Sequence, residues 1–202
     1  MKLYYSPGSC ALAVHIILIE SGLNYETESV NLRQQPIQTA SGVVFNTISP
    51  KGYVPALIIN AGQLLTESQV LLQYVADQAT SKQLIPVAGT LARYQTQEWL
   101  AFIATEIHKG FAPLWNPAAT AEQKEAAWAN LAKRLDWLNQ ELGDKAYLMG
   151  DFSVADPYLF TCLNWANYHQ RTLESWTNVV AFMERVRARP ATQQALKEEG
   201  LI

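Results

Sequence analysis

The chain has 202 residues, of which 49% are hydrophobic and 16% charged, and its net charge is −3. This composition is typical of a compact folded protein and excludes a disordered one. The slight acidity without runs of Lys or Arg argues against nucleic-acid binding, and no stretch approaches the roughly 20 apolar residues of a membrane span. Two cysteines without a CxxC pair predict neither a disulfide framework nor a zinc site. The first residues lack the pattern of a cleavable signal, so we expect a cytoplasmic protein.

The first 80 residues combine strand and helix patterns. Short aromatic or β-branched runs bounded by Pro, Gly or Asn predict strands, and the apolar run that ends near Gly22 predicts a helix with a glycine C-cap. Thr66 to Gln69 fits a capping box, with Thr66 as N-cap of a further helix. The expected elements, in chain order, are a strand at 2–5, a helix from 11 to about 21, a strand at 26–32, a loop with a short irregular helix at 33–46, a strand hairpin at 56–65 that turns at 60–62, and a helix after 66.

The composition changes after residue 80, where helical spacing of apolar residues replaces strand patterns. Thr120 to Gln123 is a second capping-box pattern, and Ser153 to Asp156 is a third. The expected helices run over about 91–109, from 120 to 143, from 153 onward, over 177–187 and over 191–199. The sequence therefore predicts an α/β domain over 1–80, a linker over 81–89 and an all-helical domain over 90–202.

Cys10 is the first candidate for chemistry. It falls at a predicted helix start, with Ser9 as the expected N-cap, where free N–H groups and the helix dipole lower a thiol pKa. The competing interpretation is a small buried hydrophobic residue, which is what most free cysteines are. A cysteine at this place, followed by a Val-Pro step that enters a hairpin, is the layout of a thioredoxin-like domain. Because Ala13 stands where a resolving cysteine would be, thiol chemistry here needs a thiol from outside.

Five ordered motifs carry a resemblance that covers almost the whole chain: YYSPGSCALAVHI, SPKGYVPAL, LLTESQVLLQYVAD, EWLAFIATEIHKGF and FSVADPYLF. In this order and spacing they resemble the glutathione transferases of the bacterial beta class. The resemblance implies a thioredoxin-like N-terminal domain, an all-helical C-terminal domain, a homodimer, and glutathione as co-substrate without a metal. It implies a reaction in which the glutathione thiol is added to a small hydrophobic electrophile, as in detoxification.

The resemblance also implies roles for individual residues. Cys10 and His108 match the family's catalytic positions: Cys10 lies near the glutathione sulfur, and His108 could hydrogen-bond that sulfur or move a proton. Val54-Pro55 matches a cis-proline step that lets the Val54 backbone pair with the ligand like an added strand. The implied glutathione-binding residues are Cys10, Gln35, Tyr53, Val54, Pro55, Glu67, Ser68, His108 and Lys109, and the implied electrophile pocket is Phe111, Leu114, Trp115, Trp165 and Tyr168.

Each of these roles has a plainer structural alternative. Pro55 could be an ordinary trans proline, and Glu67 could simply be an acid that complements the helix dipole rather than the partner of the ligand's ammonium. His108 could cap a helix end, since Gly110 follows, whereas α-helical spacing would place Ala101 and Ala104 beneath it and clear a channel. The aromatic residues could be core, and Cys162 is expected to be buried and inert.

Three departures from the family pattern bear on ligand binding. Ala11 replaces a frequent serine, Gln35 replaces a lysine that helps to hold glutathione, and Ala101 replaces an asparagine. They predict weaker glutathione binding, for which Arg33 or Lys51 could compensate. They also favour a rival function, a binding or regulatory protein with the transferase fold but no turnover. A third function, a monothiol glutaredoxin-like reductase, needs only Cys10.

Overall fold

The structure is a computed structural model that describes residues 1–59, 62–79 and 81–202. Asn60 and Ala61 of the expected hairpin turn, and Thr80 at the end of the expected first domain, lie outside the described residues. The strands are β1 (Lys2–Tyr5), β2 (Glu26–Asn31), β3 (Gln38–Thr39), β4 (Ala56–Ile58) and β5 (Leu64–Thr66). The helices are α1 (Ala11–Ser21), α2 (Ser68–Gln78), α3 (Leu91–Phe102), α4 (Ala112–Trp115), α5 (Ala121–Leu142), α6 (Ala155–Tyr168), α7 (Thr177–Arg187) and α8 (Pro190–Glu198).

The described residues form two compact units. The first comprises residues 1–85 and 190–202, and the second comprises 86–189. The linker expected over 81–89 therefore divides between them, and α8, which we expected in the all-helical domain, belongs to the α/β unit. The reason is chemical: polar side chains at the end of α8 bind groups in the first 25 residues of the chain.

The sheet of the first unit has the strand order β3-β2-β1-β4-β5. β1 pairs in parallel with β2, whereas β4 is antiparallel to both β1 and β5. The short strand β3 was missed in the sequence; its two residues pair with the end of β2, and two residues are too few to show a period. The helix α1 is apolar on all sides, and every residue in it except Ile19 is buried, as expected for a helix inside a core.

The second unit is helical, as the sequence predicts. α5 begins at the predicted capping box, where Thr120 accepts from the Gln123 N–H and the Gln123 side chain accepts from the Thr120 N–H. The apolar face of this helix is buried. After α3 the chain winds as a π-helix over Ile103–His108 and as a 3₁₀ turn over Lys109–Phe111. In the described part of the chain, no helix combines the length and the apolar character needed to cross a membrane.

Candidate functional site

The sheet brings three loops of the first unit to one edge. Because β4 is antiparallel to β1 and β5, the end of β1, the start of β4 and the end of β5 are neighbours: Tyr4 pairs with Ala56, and Ala56 pairs with Thr66. The loop before α1, the segment before β4 and the start of α2 therefore meet at this edge. These three segments hold six of the nine residues that the sequence predicted to bind glutathione.

Cys10 is the N-cap residue of α1, which begins at Ala11. Ser9, the expected N-cap, lies one residue earlier, and its hydroxyl accepts a hydrogen bond from the Ala11 N–H at 3.3 Å. The Cys10 thiol donates to the Val54 carbonyl, with Sγ and O 3.6 Å apart, and 9% of the residue is exposed. The sulfur thus lies at the N-terminus of α1, and its thiol hydrogen bonds to the segment before β4.

The segment before β4 carries the predicted cis peptide bond between Val54 and Pro55. Its shape depends on Gly52, whose φ of +71° is readily adopted only by glycine. A Cβ at this position would also lie 2.9 Å from the side-chain nitrogen of Asn46. Gly52 therefore allows the backbone conformation from which the neighbouring side chains of Lys51 and Tyr53 extend.

Glu67 precedes α2 and adopts a φ of +73°, a conformation that is costly for a residue with a side chain. Its Oε1 atom accepts from Lys51 Nζ at 2.5 Å and from the Tyr53 hydroxyl at 3.1 Å. The hydrogen bond to Glu67 raises the pKa of Lys51 above its ordinary value. Ser68, the first residue of α2, is buried. A continuous set of contacts thus runs from Cys10 through residues 53–54 to Glu67 and Ser68.

The capping box predicted at Thr66 is wrong. Thr66 ends β5 and pairs with Ala56, and the N-cap of α2 is Glu67, without a side-chain cap bond. The helix start therefore leaves its first N–H groups uncapped by Thr66, which is compatible with an anion there. At Ser153 the prediction is half right: Asp156 accepts from the Ser153 N–H at 2.7 Å, but Val154 is the N-cap of α6.

A polar cluster of the first unit was missed altogether in the sequence. Glu199, whose side chain is fully buried, accepts from the Gly8 N–H at 2.9 Å and contacts His15 Nδ1 at 3.1 Å. Glu198 contacts His15 Nε2 at 2.8 Å. Burial alone would raise the pKa of Glu198, but hydrogen bonds from Gln194 and His15 outweigh it and lower that pKa. The cluster ties α1 and the Cys10 loop to the end of α8.

Burial, together with the same cluster, raises the pKa values of two tyrosines, Tyr25 and Tyr5. Burial, together with the negative charge of Glu198 and a hydrogen bond to it, raises the pKa of Tyr25 to about 12. Burial, then the charges of Glu199 and Glu198, raises the pKa of Tyr5 as well. Both phenols therefore stay protonated at neutral pH, and Tyr25 acts as a hydrogen-bond donor to Glu198.

In the second unit, His108 ends the π-helical segment. Its Nδ1 atom lies 2.8 Å from the Tyr158 hydroxyl, and its ring packs edge-on against Trp165, with centroids 4.9 Å apart. Lys109 is exposed. Residues 103–108 wind as a π-helix instead of the expected α-helix. The channel predicted beside Ala101 and Ala104 stays a prediction.

Four of the five residues predicted to line an electrophile pocket, Phe111, Trp115, Trp165 and Tyr168, form one group of contacting rings. Phe111 and Trp115 both contact the Trp165 ring, and Tyr168 contacts Trp115. Phe111, Leu114 and Trp165 are buried, whereas about half of Trp115 and Tyr168 is exposed. A groove of about 1010 Å³ lies elsewhere in this unit and includes Trp99, Phe102 and Trp137 in its lining. The pocket therefore stays a prediction.

Comparison with known proteins gives the family. A family model described as "Glutathione S-transferase, N-terminal domain" matches residues 8–78, and one described as "Glutathione S-transferase, C-terminal domain" matches 102–190. Over 202 residues, the chain is 44% identical to glutathione S-transferase GstA of Escherichia coli O157:H7, with 100% of both proteins covered. The chain belongs to the glutathione S-transferase family.

Two solved structures of this family are also similar. One is a sphingomonad glutathione S-transferase complexed with glutathione, and the other is a bacterial beta-class glutathione S-transferase of Sphingomonas chungbukensis. Each has a TM-score of 0.95, 40% sequence identity and coverage of 100% of both chains. The resemblance to the beta class and the expected transferase fold, a thioredoxin-like α/β domain followed by helices, are therefore confirmed.

The three departures from the transferase pattern lie in different surroundings. Ala11 is fully buried as the first residue of α1. Gln35 is exposed in the connection between β2 and β3, where a second cis bond, Gln35–Pro36, was not foreseen. Ala101 is exposed on α3 and lines the groove of the second unit. Among the described residues, no group of three or more His, Cys, Asp or Glu side chains could hold a metal ion.

Proposed function

We propose that the protein is a cytoplasmic glutathione transferase that joins the sulfur of glutathione to small electrophilic molecules, a reaction typical of detoxification. The observation that carries this proposal is the continuous set of contacts at one sheet edge, from Cys10 through Val54 and Tyr53 to Glu67. Its parts match the three parts of the tripeptide: a helix N-terminus for the sulfur, the backbone at the cis Val54–Pro55 bond for the cysteinyl unit, and a carboxylate for the ammonium. The sphingomonad relative crystallised with glutathione supports the same ligand.

The first unit would act by holding glutathione and stabilising its thiolate. The N–H groups at the start of α1 favour negative charge on a sulfur placed beside Cys10. The thiolate then attacks the electrophilic carbon; a carbon–sulfur bond forms, the bond to the leaving group breaks with its electron pair, and the thiol proton passes to solvent. Glu67 and the N-terminus of α2, which begins at Ser68, would hold the ammonium and the carboxylate of the γ-glutamyl end.

Conjugation of chlorodinitrobenzene with glutathione, measured together with calorimetric titration of glutathione, tests the proposal. We expect saturable turnover and a single binding site per chain. Glu67→Lys should weaken glutathione binding about tenfold or more, because it replaces the carboxylate by a cation that repels the ligand's ammonium. Cys162→Ala is the control, since Cys162 is fully buried in the second unit and should leave both quantities unchanged. Binding without turnover would favour the regulatory alternative, and neither binding nor turnover would reject the proposal.

Thiol exchange is a second activity that one observation favours: Cys10 is in no disulfide and lies at a helix N-terminus. Its thiolate would attack glutathione disulfide, form a mixed disulfide and release one glutathione as thiolate. A second glutathione thiolate would then attack the mixed disulfide, which regenerates Cys10 and glutathione disulfide. Mass spectrometry after incubation with glutathione disulfide tests this step, since Cys10→Ala should abolish a single adduct of glutathione mass that Cys162→Ala retains.

The remaining elements of the proposal concern assembly and the second substrate. We propose a homodimer, on the resemblance to the beta class, and light scattering coupled to gel filtration measures it directly. We propose that Trp115 and Tyr168, the exposed members of the Trp165 group, contact the electrophile. Their replacement by Ala should raise the KM for the electrophile and leave the KM for glutathione unchanged.

A further inference from the structure

The carboxylate that would hold the ligand's ammonium already holds an ammonium of the protein itself. Lys51 Nζ lies 2.5 Å from Glu67 Oε1, and the Tyr53 hydroxyl lies 3.1 Å from the same oxygen. Nearly half of each charged side chain is exposed: 48% for Lys51 and 46% for Glu67. A cation and an anion are therefore paired at the place where, under the proposed function, the zwitterionic end of glutathione binds.

We propose that Lys51 is an exchangeable counterion for Glu67: it neutralises the carboxylate in the empty protein and moves to the ligand's α-carboxylate when the ligand's ammonium takes its place. This inference rests on the proposed function and adds a specificity residue to it. The ligand class is an α-amino acid end that carries both charges. The paired Lys51 and Glu67 are the mirror of such a zwitterion, with one charge complementary to each of its groups.

Several features of the site suit an exchange of partners. An exposed ion pair in water is weak, so separating Lys51 from Glu67 costs little. A lysine side chain is flexible and its ammonium needs no fixed geometry, so it can follow a new anion over a few ångströms. Tyr53, which donates to the same oxygen of Glu67, remains a partner of the carboxylate when Lys51 leaves.

The exchange predicts how ligand affinity depends on the number of ion pairs that break and form on binding. When glutathione binds the unmodified protein, one pair breaks and two form; in Lys51→Met, none breaks and one forms. The net gain is one pair in both proteins, so the affinity for glutathione should change less than about twofold. For 4-aminobutyryl-cysteinyl-glycine, which lacks the α-carboxylate, one pair breaks and one forms in the unmodified protein. In Lys51→Met one forms and none breaks, so this analogue should bind about two- to fivefold more tightly.

Calorimetric titration of both ligands at low ionic strength, with the unmodified protein and Lys51→Met, tests the inference. Lys82→Met is the matched control: Lys82 is an exposed lysine of the same unit whose Nζ lies 3.6 Å from Glu20, and its replacement should alter neither affinity. The expected result is tighter binding of the analogue alone.

Every other pattern overturns the exchange. If both ligands bind Lys51→Met more tightly, Lys51 only competes with the ammonium; if glutathione alone binds more weakly, Lys51 only receives the carboxylate. If neither affinity changes, Lys51 has no part in recognition. These results all require that glutathione binds the unmodified protein. Failure of that binding would instead overturn the proposed function, and the exchange with it.

Discussion

Glu199 is expected to be among the most important side chains for the stability of the first unit, although it lies close to the end of the sequence. Its carboxylate is fully buried and touches two elements at once: the Gly8 N–H in the loop before Cys10, and His15 in the middle of α1. Replacement by leucine puts an apolar side chain of similar size in its place but removes both acceptor oxygens. Two buried polar groups would then lack the partner that they have now.

The size of the effect follows from those two groups. A buried polar group without its partner costs about 1–3 kcal/mol, and Glu199→Leu leaves two such groups, the Gly8 N–H and the His15 ring, without the carboxylate. We expect Glu199→Leu to lower the free energy of unfolding by about 3–5 kcal/mol. For a chain of this size that corresponds to a fall in melting temperature of about 6–20 °C.

The measurement is urea unfolding followed by tryptophan fluorescence, with thermal melting as a second readout. Glu198→Gln is the control, because Glu198 contacts the same histidine but 41% of its side chain is exposed; it should cost less than about 1 kcal/mol. Glu199→Gln, which can accept from Gly8 and donate to His15, should recover most of the loss. Equal costs for the Glu198 and Glu199 variants, or an unchanged midpoint in Glu199→Leu, would show that the buried cluster does not stabilise the fold.

Three further changes test other parts of the structure. Gly52→Ala forces a side chain into a φ of +71°, which should lower the free energy of unfolding by about 1–2 kcal/mol and weaken glutathione binding. Gly42→Ala is strained in the same way, at +85°, but lies in open space, so it should cost the same without affecting binding. Equal affinities of the two variants for glutathione would refute this. His108→Gln keeps an acceptor for the neighbouring tyrosine hydroxyl and should lower kcat about 10²-fold with little change in melting temperature; unchanged kcat would leave His108 a structural residue. Hydrogen bonds, first of all from Lys2, lower the pKa of Glu28 to about 2, against an ordinary value of 4.5. The stability that Glu28→Gln removes should therefore be full above about pH 4.5 and vanish as the pH falls towards 2. Urea unfolding across that range measures it, and a constant difference in the free energy of unfolding between the two proteins would contradict the prediction.

Local patterns in the sequence predicted structure well where both partners of an interaction lie within one helical turn. The box at Thr120 needs only Gln123, three residues on, and both of its hydrogen bonds form. The similar pattern at Thr66 fails because a distant partner competes: Thr66 extends β5 and pairs with Ala56 of β4. Pairing in the sheet there outweighs the weaker preference of a threonine for a helix cap.

The candidate site divides along the same line. Cys10 could be predicted because a helix start is a local property, and the cis bond at Pro55 because a family motif marks it. The ion pair between Lys51 and Glu67 spans 16 residues, and the bond from Gly8 to Glu199 spans 191. No period or spacing in a single sequence relates residues so far apart, so only the folded chain reveals what they do.

The π-helical segment shows how a correct helix prediction can still misplace a side chain that is a candidate for function. Leu100, Ile103 and Ile107 are all buried, as the expected α-helix requires, so their spacing gives no sign of a change in winding. Yet residues 103–108 bond in the i→i+5 pattern, which adds a residue to the turn and rotates every later side chain about the helix axis. His108 is the last residue of that turn. Such turns are frequent at functional sites, and this one sets the direction of the His108 ring, which the Tyr158 hydroxyl then fixes.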